Sequence, residues 1–195
     1  MNFRWFFNMI DKIALQLTSF ICTEAYDNTK DRAKIQYALS VILSEGFKII
    51  FLLLFFSVIH RQSYFYFSLV ILMSIRVFAG GVHVKGALNC LLLTVLMFSF
   101  TSIAAPLMPR LPYVCYVLSG IASLAIVLVK APICSVRRPI KDKKIKLKYK
   151  LIAAISTALW IVILSYLEAP AYVNCGFSTI IVQNIQLMLV KKAKY

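Results

Sequence analysis

The stretch IQYALSVILSEGFKIIFLLLFFSVI, residues 35–59, is apolar almost throughout and interrupted by two ionisable side chains, Glu45 and Lys48. Its length is sufficient for a helix to cross the hydrocarbon core of a bilayer, which takes roughly 20 apolar residues. Comparable runs follow at 62–78, 87–108, 112–130, 151–168 and 171–190. Hydrophobic residues make up 61% of the chain, against about 45–50% in soluble domains. In lipid, every backbone N–H and C=O needs a partner within the protein, so apolar runs of this length form helices. The reading is an all-α integral membrane protein, a single domain over 1–195 with about six transmembrane helices.

Residues 1–34 stand apart from the spans. Arg4, Asn8, Asp11, Lys12 and Gln16 interrupt an aromatic stretch that lacks a small-residue cleavage site, so it does not read as a secretory signal peptide. It reads as an amphipathic helix lying in the membrane interface, with Phe3, Trp5, Phe6 and Phe7 as anchors.

The charge pattern orients the six spans. The chain holds 22 Lys and Arg against 7 Asp and Glu, a net charge of +15. In a soluble protein that balance would suggest nucleic acid; in a membrane protein it marks cytoplasmic segments, so no nucleic-acid partner is expected. Lys30, Arg32 and Lys34 precede the first span, His83 and Lys85 lie between the second and third, and Lys191, Lys192 and Lys194 follow the sixth. Lysines and arginines crowd a basic loop at 130–150, which also suits anionic lipid headgroups. The opposite side offers His60, Arg61, Arg110 and Glu168. Both termini and His83 are therefore expected at the cytoplasmic face of a cell membrane.

The five cysteines, Cys22, Cys90, Cys115, Cys134 and Cys175, are scattered and unpaired in spacing. They indicate neither a disulfide framework nor a zinc site, and no metal or cofactor is expected. Cys90 differs from the rest by its surroundings. The segment 76–90 reads RVFAGGVHVKGALNC and sets Gly80, Gly81, His83, Lys85 and Gly86 between two spans. A thiol nucleophile needs an imidazole within hydrogen-bond reach. On one straight helix the backbones of His83 and Cys90 would lie about 10.5 Å apart. Catalysis by this pair therefore requires a bend between Gly80 and Gly86, which glycine permits. Cys90 is expected in the first turn of the third span, where the helix dipole favours negative charge on sulfur, with His83 on a loop folded over it.

Glu45 and Lys48 fall on one face of the first span, as a mutual ion pair, with Lys48 reaching for an interface, or with Glu45 turned to Arg76 or orienting His83. Gln183, Asn184 and Gln186 in the sixth span are candidates for interhelical hydrogen bonds, within one chain or across a homodimer.

The pattern Arg76-x-x-x-Gly80-Gly81-x-His83, with Cys90 seven residues beyond the histidine, resembles the signature of the AgrB family, the accessory gene regulator proteins of Gram-positive bacteria. A second block, Ala131-Pro132 followed by Arg138-Pro139, is similar to a family pattern beyond the fourth span. It departs from it in Cys134 and Arg137, where the family has an acid and an asparagine. The resemblance implies a membrane cysteine endopeptidase of quorum sensing, acting on an AgrD-like propeptide and working as a homodimer. By the same resemblance His83 is the general base and Cys90 the nucleophile that releases the acidic C-terminal tail. The resulting thioester passes to a cysteine or serine of the peptide, closing a thiolactone or lactone. Arg76 or Lys85 would assist at the oxyanion, Gly80 and Gly81 would shape the turn, and Lys143, Lys144 and Lys146 would receive the acidic tail. A peptide exporter and a non-catalytic membrane assembly protein are the competing readings. An enzyme would lose cleavage on Cys90→Ser, which the other two would tolerate.

Overall fold

The computed structural model describes residues 12–20, 29–81, 87–133 and 142–190. Among these the secondary structure is helical throughout, without strands. A first helix, α1, covers residues 12–20. It is followed by α2 (Thr29–Val58), α3 (Gln62–Ala79), α4 (Ala87–Ser99), a π-helical turn (Phe100–Ala104), α5 (Ala105–Leu107), α6 (Tyr113–Lys130), α7 (Lys143–Tyr166) and α8 (Pro170–Leu189). The aromatic anchors proposed for 1–11 lie outside the described residues.

Among the described residues, five stretches are long and apolar enough to cross a membrane: Ile35–Val58, Gln62–Ala79, Leu88–Leu107, Tyr113–Lys130 and Lys143–Tyr166. Their outer faces carry large exposed apolar side chains, among them Ile42, Leu54, Leu96, Leu118, Ile121 and Ile155. Water tolerates such continuous apolar surface poorly, whereas lipid is its natural neighbour. The protein is a multi-pass membrane protein. The sixth expected span is present as α8 but is not among these five. Its polar side chains Asn174, Thr179, Gln183, Asn184 and Gln186 are all buried, so it serves as an interior helix of the kind that polar side chains join to its neighbours.

Two helices depart from their expected course. α7 begins at Lys143, well before residue 151, because the Asp142 side chain accepts a hydrogen bond from the Lys144 backbone N–H at 2.8 Å. That bond satisfies a donor left open at every helix start, and lysine is a good helix former. Much of the expected basic loop is therefore helix. The third span is broken near its end by the π turn, just ahead of Pro106. Proline has no N–H to offer the carbonyl four residues back, and the wider turn accommodates that gap.

The chain divides into two compact units. The first takes residues 1–59 with 84–94, hence α1, α2 and the start of α4. The second takes 60–83 with 95–195. In the second unit α8 packs against α3, the π turn, α5, α6 and α7. Ile71, Ile75, Val127, Ala153, Leu164, Phe177, Ile180 and Leu187 form its buried core. A hydroxyl cluster lies within it. Ser68 Oγ meets Thr179 Oγ1 at 2.8 Å, Thr101 Oγ1 at 3.1 Å and Cys175 Sγ at 3.2 Å. Hydroxyls inside lipid need such partners, and together they tie α3, the π turn and α8.

Candidate active site

Within the first unit, Cys90 is the fourth residue of α4 and lies in its first turn. Its backbone carbonyl accepts a hydrogen bond from Thr94 Oγ1 at 2.7 Å, an ordinary intrahelical back-bond that leaves the thiol free to point elsewhere. The side chain is half-buried. On α2, Glu45 and Lys48 share a face, as their three-residue separation requires. Lys48 Nζ donates to Glu45 Oε1 at 2.6 Å and to Cys90 Sγ at 3.3 Å. Lys48 is only 4% exposed, whereas the Glu45 side chain is 58% exposed. The ammonium is thus turned inward to the sulfur, and its carboxylate partner stands outward of it. A cation in hydrogen-bond contact with sulfur stabilises negative charge on it, and an apolar setting screens that attraction little. Of the orientations considered for Glu45, the mutual pair with Lys48 is present.

His83 and Lys85 lie outside the described residues. The backbone that leads to them is described, in the second unit. α3 ends at Gly80, whose φ of +82° falls in the left-handed region that side chains rarely adopt. The Gly80 N–H still reaches back to the Arg76 carbonyl at 2.8 Å, closing the helix. A Cβ at Gly80 would stand 2.9 Å from the Ile133 carbonyl oxygen, so no larger residue fits. The chain passes this close because the Ile133 N–H donates to the Ala79 carbonyl at 2.9 Å, joining the end of α3 to the Ala131-Pro132 block.

Two glutamines of α8 complete this corner. Gln183 Nε2 donates to the Gly80 carbonyl at 2.7 Å, and the Arg76 guanidinium donates to Gln186 Oε1. Gln186 Nε2 in turn meets Met97 Sδ at 3.4 Å. Gly81 is buried under this network, and a Cβ there would lie 3.0 Å from Arg76 Cζ and 3.1 Å from Gln186 Oε1. The sequence marked Gln183 and Gln186 as interhelical partners without saying for what. They hold the glycine pair and Arg76. The Asn184 amide, by contrast, is buried with neither of its polar atoms partnered among the described residues.

Lys143, Lys144 and Lys146 occupy the first two turns of α7 and are exposed. They form a positive surface of the second unit, suited to an anionic segment or a lipid headgroup.

Comparison with known proteins agrees with the signature. The profile of the family described as Accessory gene regulator B matches residues 10–187. A protein of Clostridium beijerinckii described as "Putative AgrB-like protein" is 37% identical over 161 residues, covering 83% of this chain and 79% of that protein. No solved structure matches the chain.

Proposed function

The chain belongs to the accessory gene regulator B (AgrB) family, and we propose that it is a membrane cysteine endopeptidase that matures an AgrD-like quorum-sensing propeptide. Family membership carries a role in quorum-sensing peptide processing. The cysteine mechanism is our reading, and the observation that carries it is the Lys48–Cys90 contact at 3.3 Å. An ordinary packing cysteine does not require a buried ammonium against its sulfur, and a nucleophilic one benefits from it.

His83 takes the proton of the Cys90 thiol, and the sulfur attacks the carbonyl carbon ahead of the propeptide's acidic tail. The C–N bond breaks, the tail leaves as an amine carrying that proton, and the peptide remains on Cys90 as a thioester. A cysteine or serine within the peptide then attacks the thioester carbonyl, its proton passing to His83. The C–S bond breaks, the Cys90 sulfur takes that proton back from His83, and the peptide departs as a thiolactone or lactone. Making a thioester from an amide is uphill, so water is the competing acceptor at every turnover. A half-buried sulfur flanked by apolar helices favours the intramolecular acceptor by keeping water scarce.

The remaining assignments follow from this scheme. Gly80, Gly81 and Arg76, held by Gln183 and Gln186, fix the point from which the His83 segment departs. The tail is received by Lys143, Lys144 and Lys146. The basic segments lie on the cytoplasmic side with both termini, and the chain works as a homodimer.

The test is direct. Purified protein in lipid vesicles is given the propeptide, and mass spectrometry looks for a released tail and an adduct on Cys90. Wild-type protein should release the tail, and Cys90→Ala and Cys90→Ser should not. Removing the peptide's own ring-forming residue should make the Cys90 adduct accumulate. Tail release by Cys90→Ala would sink the mechanism, and none by wild type would favour transport or scaffolding.

A further inference from the structure

The geometry points to Lys48 as a further catalytic residue, a buried cation that compensates the charge on the Cys90 sulfur, with Glu45 as the residue that positions it. This rests on the reading of Cys90 as the nucleophile. It adds a member that neither the signature around His83 and Cys90 nor the family resemblance assigns.

Lys48 sits in a helix apolar enough to span lipid and is 4% exposed. A lysine there usually extends toward the nearest interface, because an ammonium held in an apolar setting is costly. Pairing with Glu45 alone would not require burial, since the Glu45 side chain is 58% exposed and the pair could form at the helix surface. The inward position is the one that reaches the thiol, from a helix 42 residues away in sequence. An ammonium has three N–H donors, and two are directed at Glu45 and Cys90. With the thiol protonated, the lysine–glutamate pair is neutral. When His83 removes the proton, the new anion forms against a cation already in place, so little has to reorganise as the charge appears. Once the sulfur is acylated it is neutral again, and the pair returns to its resting charge. The arrangement thus favours the charged sulfur and not the free acyl-enzyme.

Glu45 has a second use in this scheme. A neutral lysine amine within reach of a thioester would attack its carbonyl. The C–S bond would break, Cys90 would recover its proton from the nitrogen, and the peptide would remain on Lys48 as an amide. Bonded to a carboxylate at 2.6 Å as an ammonium, the nitrogen has no lone pair for that attack.

The experiment measures the rate of iodoacetamide alkylation of Cys90 at neutral pH in the full chain in vesicles, by mass spectrometry of the Cys90 peptide. Exposed Cys115 serves as the internal reference. The titratable groups that hydrogen bonds bring to this sulfur are Lys48 and, through it, Glu45, both from α2. His83 lies outside the described residues and is unchanged in every variant, so differences between variants isolate the α2 pair. Lys48→Met should slow Cys90 alkylation roughly ten-fold at neutral pH, with Cys115 unaffected and tail release falling in parallel. Lys48→Arg should restore most of both. Glu45→Gln should yield a peptide adduct on Lys48 that resists hydroxylamine, unlike a thioester. If Lys48→Met fails to insert, Glu45→Gln/Lys48→Met, which removes both charges, takes its place. An unchanged alkylation rate overturns the proposal, and so does a slowed rate with undiminished tail release. Tail release by Cys90→Ala would instead overturn the peptidase reading itself, whatever the alkylation shows.

Discussion

Gln183 Nε2 donates to the Gly80 carbonyl at 2.7 Å, so an interior helix holds the residue at which α3 turns into the segment carrying His83. The bond joins positions 103 residues apart in sequence. Replacing Gln183 by leucine keeps the volume and removes the donor, leaving the Gly80 carbonyl without it. Interhelical side-chain bonds in membranes contribute about 0.6–1.7 kcal/mol. We expect a fall in thermal stability in detergent of that order, and a larger fractional loss of tail release because the His83 segment loses its anchor. Full release by Gln183→Leu would detach this corner from the reaction.

Gly80 and Gly46 form a matched pair for substitution by alanine. At Gly80 a φ of 82° with a ψ of −172° is a conformation essentially confined to glycine, which costs another residue about 1–3 kcal/mol, and the new Cβ would press on the Ile133 carbonyl. Gly46, within α2, has nothing within 4 Å of its Cβ position, and helix propensity favours alanine there by up to about 1 kcal/mol. Melting curves should therefore move in opposite directions. A Gly80→Ala protein as stable as wild type would contradict the backbone geometry at the end of α3.

Neutralising Lys143, Lys144 and Lys146 to glutamine should raise KM for a propeptide with an acidic tail while leaving kcat nearly unchanged. The effect should shrink with added salt, since these side chains are exposed and screened. It should also vanish for a propeptide whose tail has been made neutral. Asp142 remains to cap the helix, so insertion should be preserved. Equal KM values for the variant and wild type at low salt would remove these lysines from substrate binding.

The buried Asn184 amide has no partner among the described residues on either its nitrogen or its oxygen. A buried polar group left in that state costs about 1–3 kcal/mol, so Asn184→Leu should be neutral or stabilising in the isolated protein. A destabilised Asn184→Leu monomer would show that the amide has a partner in solution.

Much of this was legible in the sequence, for identifiable reasons. The apolar runs declared their helices because lipid leaves the backbone no alternative. The Gly80-Gly81 pair marked the end of α3 because a left-handed residue at a close chain approach admits little else. Cys90 was placed in the first turn of α4 by the same boundary. The contact of Lys48 with Cys90 was hidden. Period and spacing say which residues share a face of α2, but not which other helix that face meets. The early start of α7 was missed because a charged run resembles a loop until the capping role of Asp142 is recognised. The interior character of α8 was concealed by averaging, since polar side chains spread among isoleucines and leucines still read as a moderately apolar span.

The polarity of α8 bears finally on how the protein is made. A segment with Asn174, Gln183, Asn184 and Gln186 partitions into the bilayer less readily than the helices before it. The elements it packs against, α3, the π turn, α5, α6 and α7, all precede it in the chain. When α8 leaves the ribosome its hydrogen-bonding partners are already in the membrane, and their presence recruits it. Insertion of this helix and closure of the Gly80 corner are then a single event in biogenesis. A chain arrested before α8 would lack the Gln183 bond to the Gly80 carbonyl and the Gln186 bond to Arg76, so this corner gains its last two ties only once synthesis has passed that point.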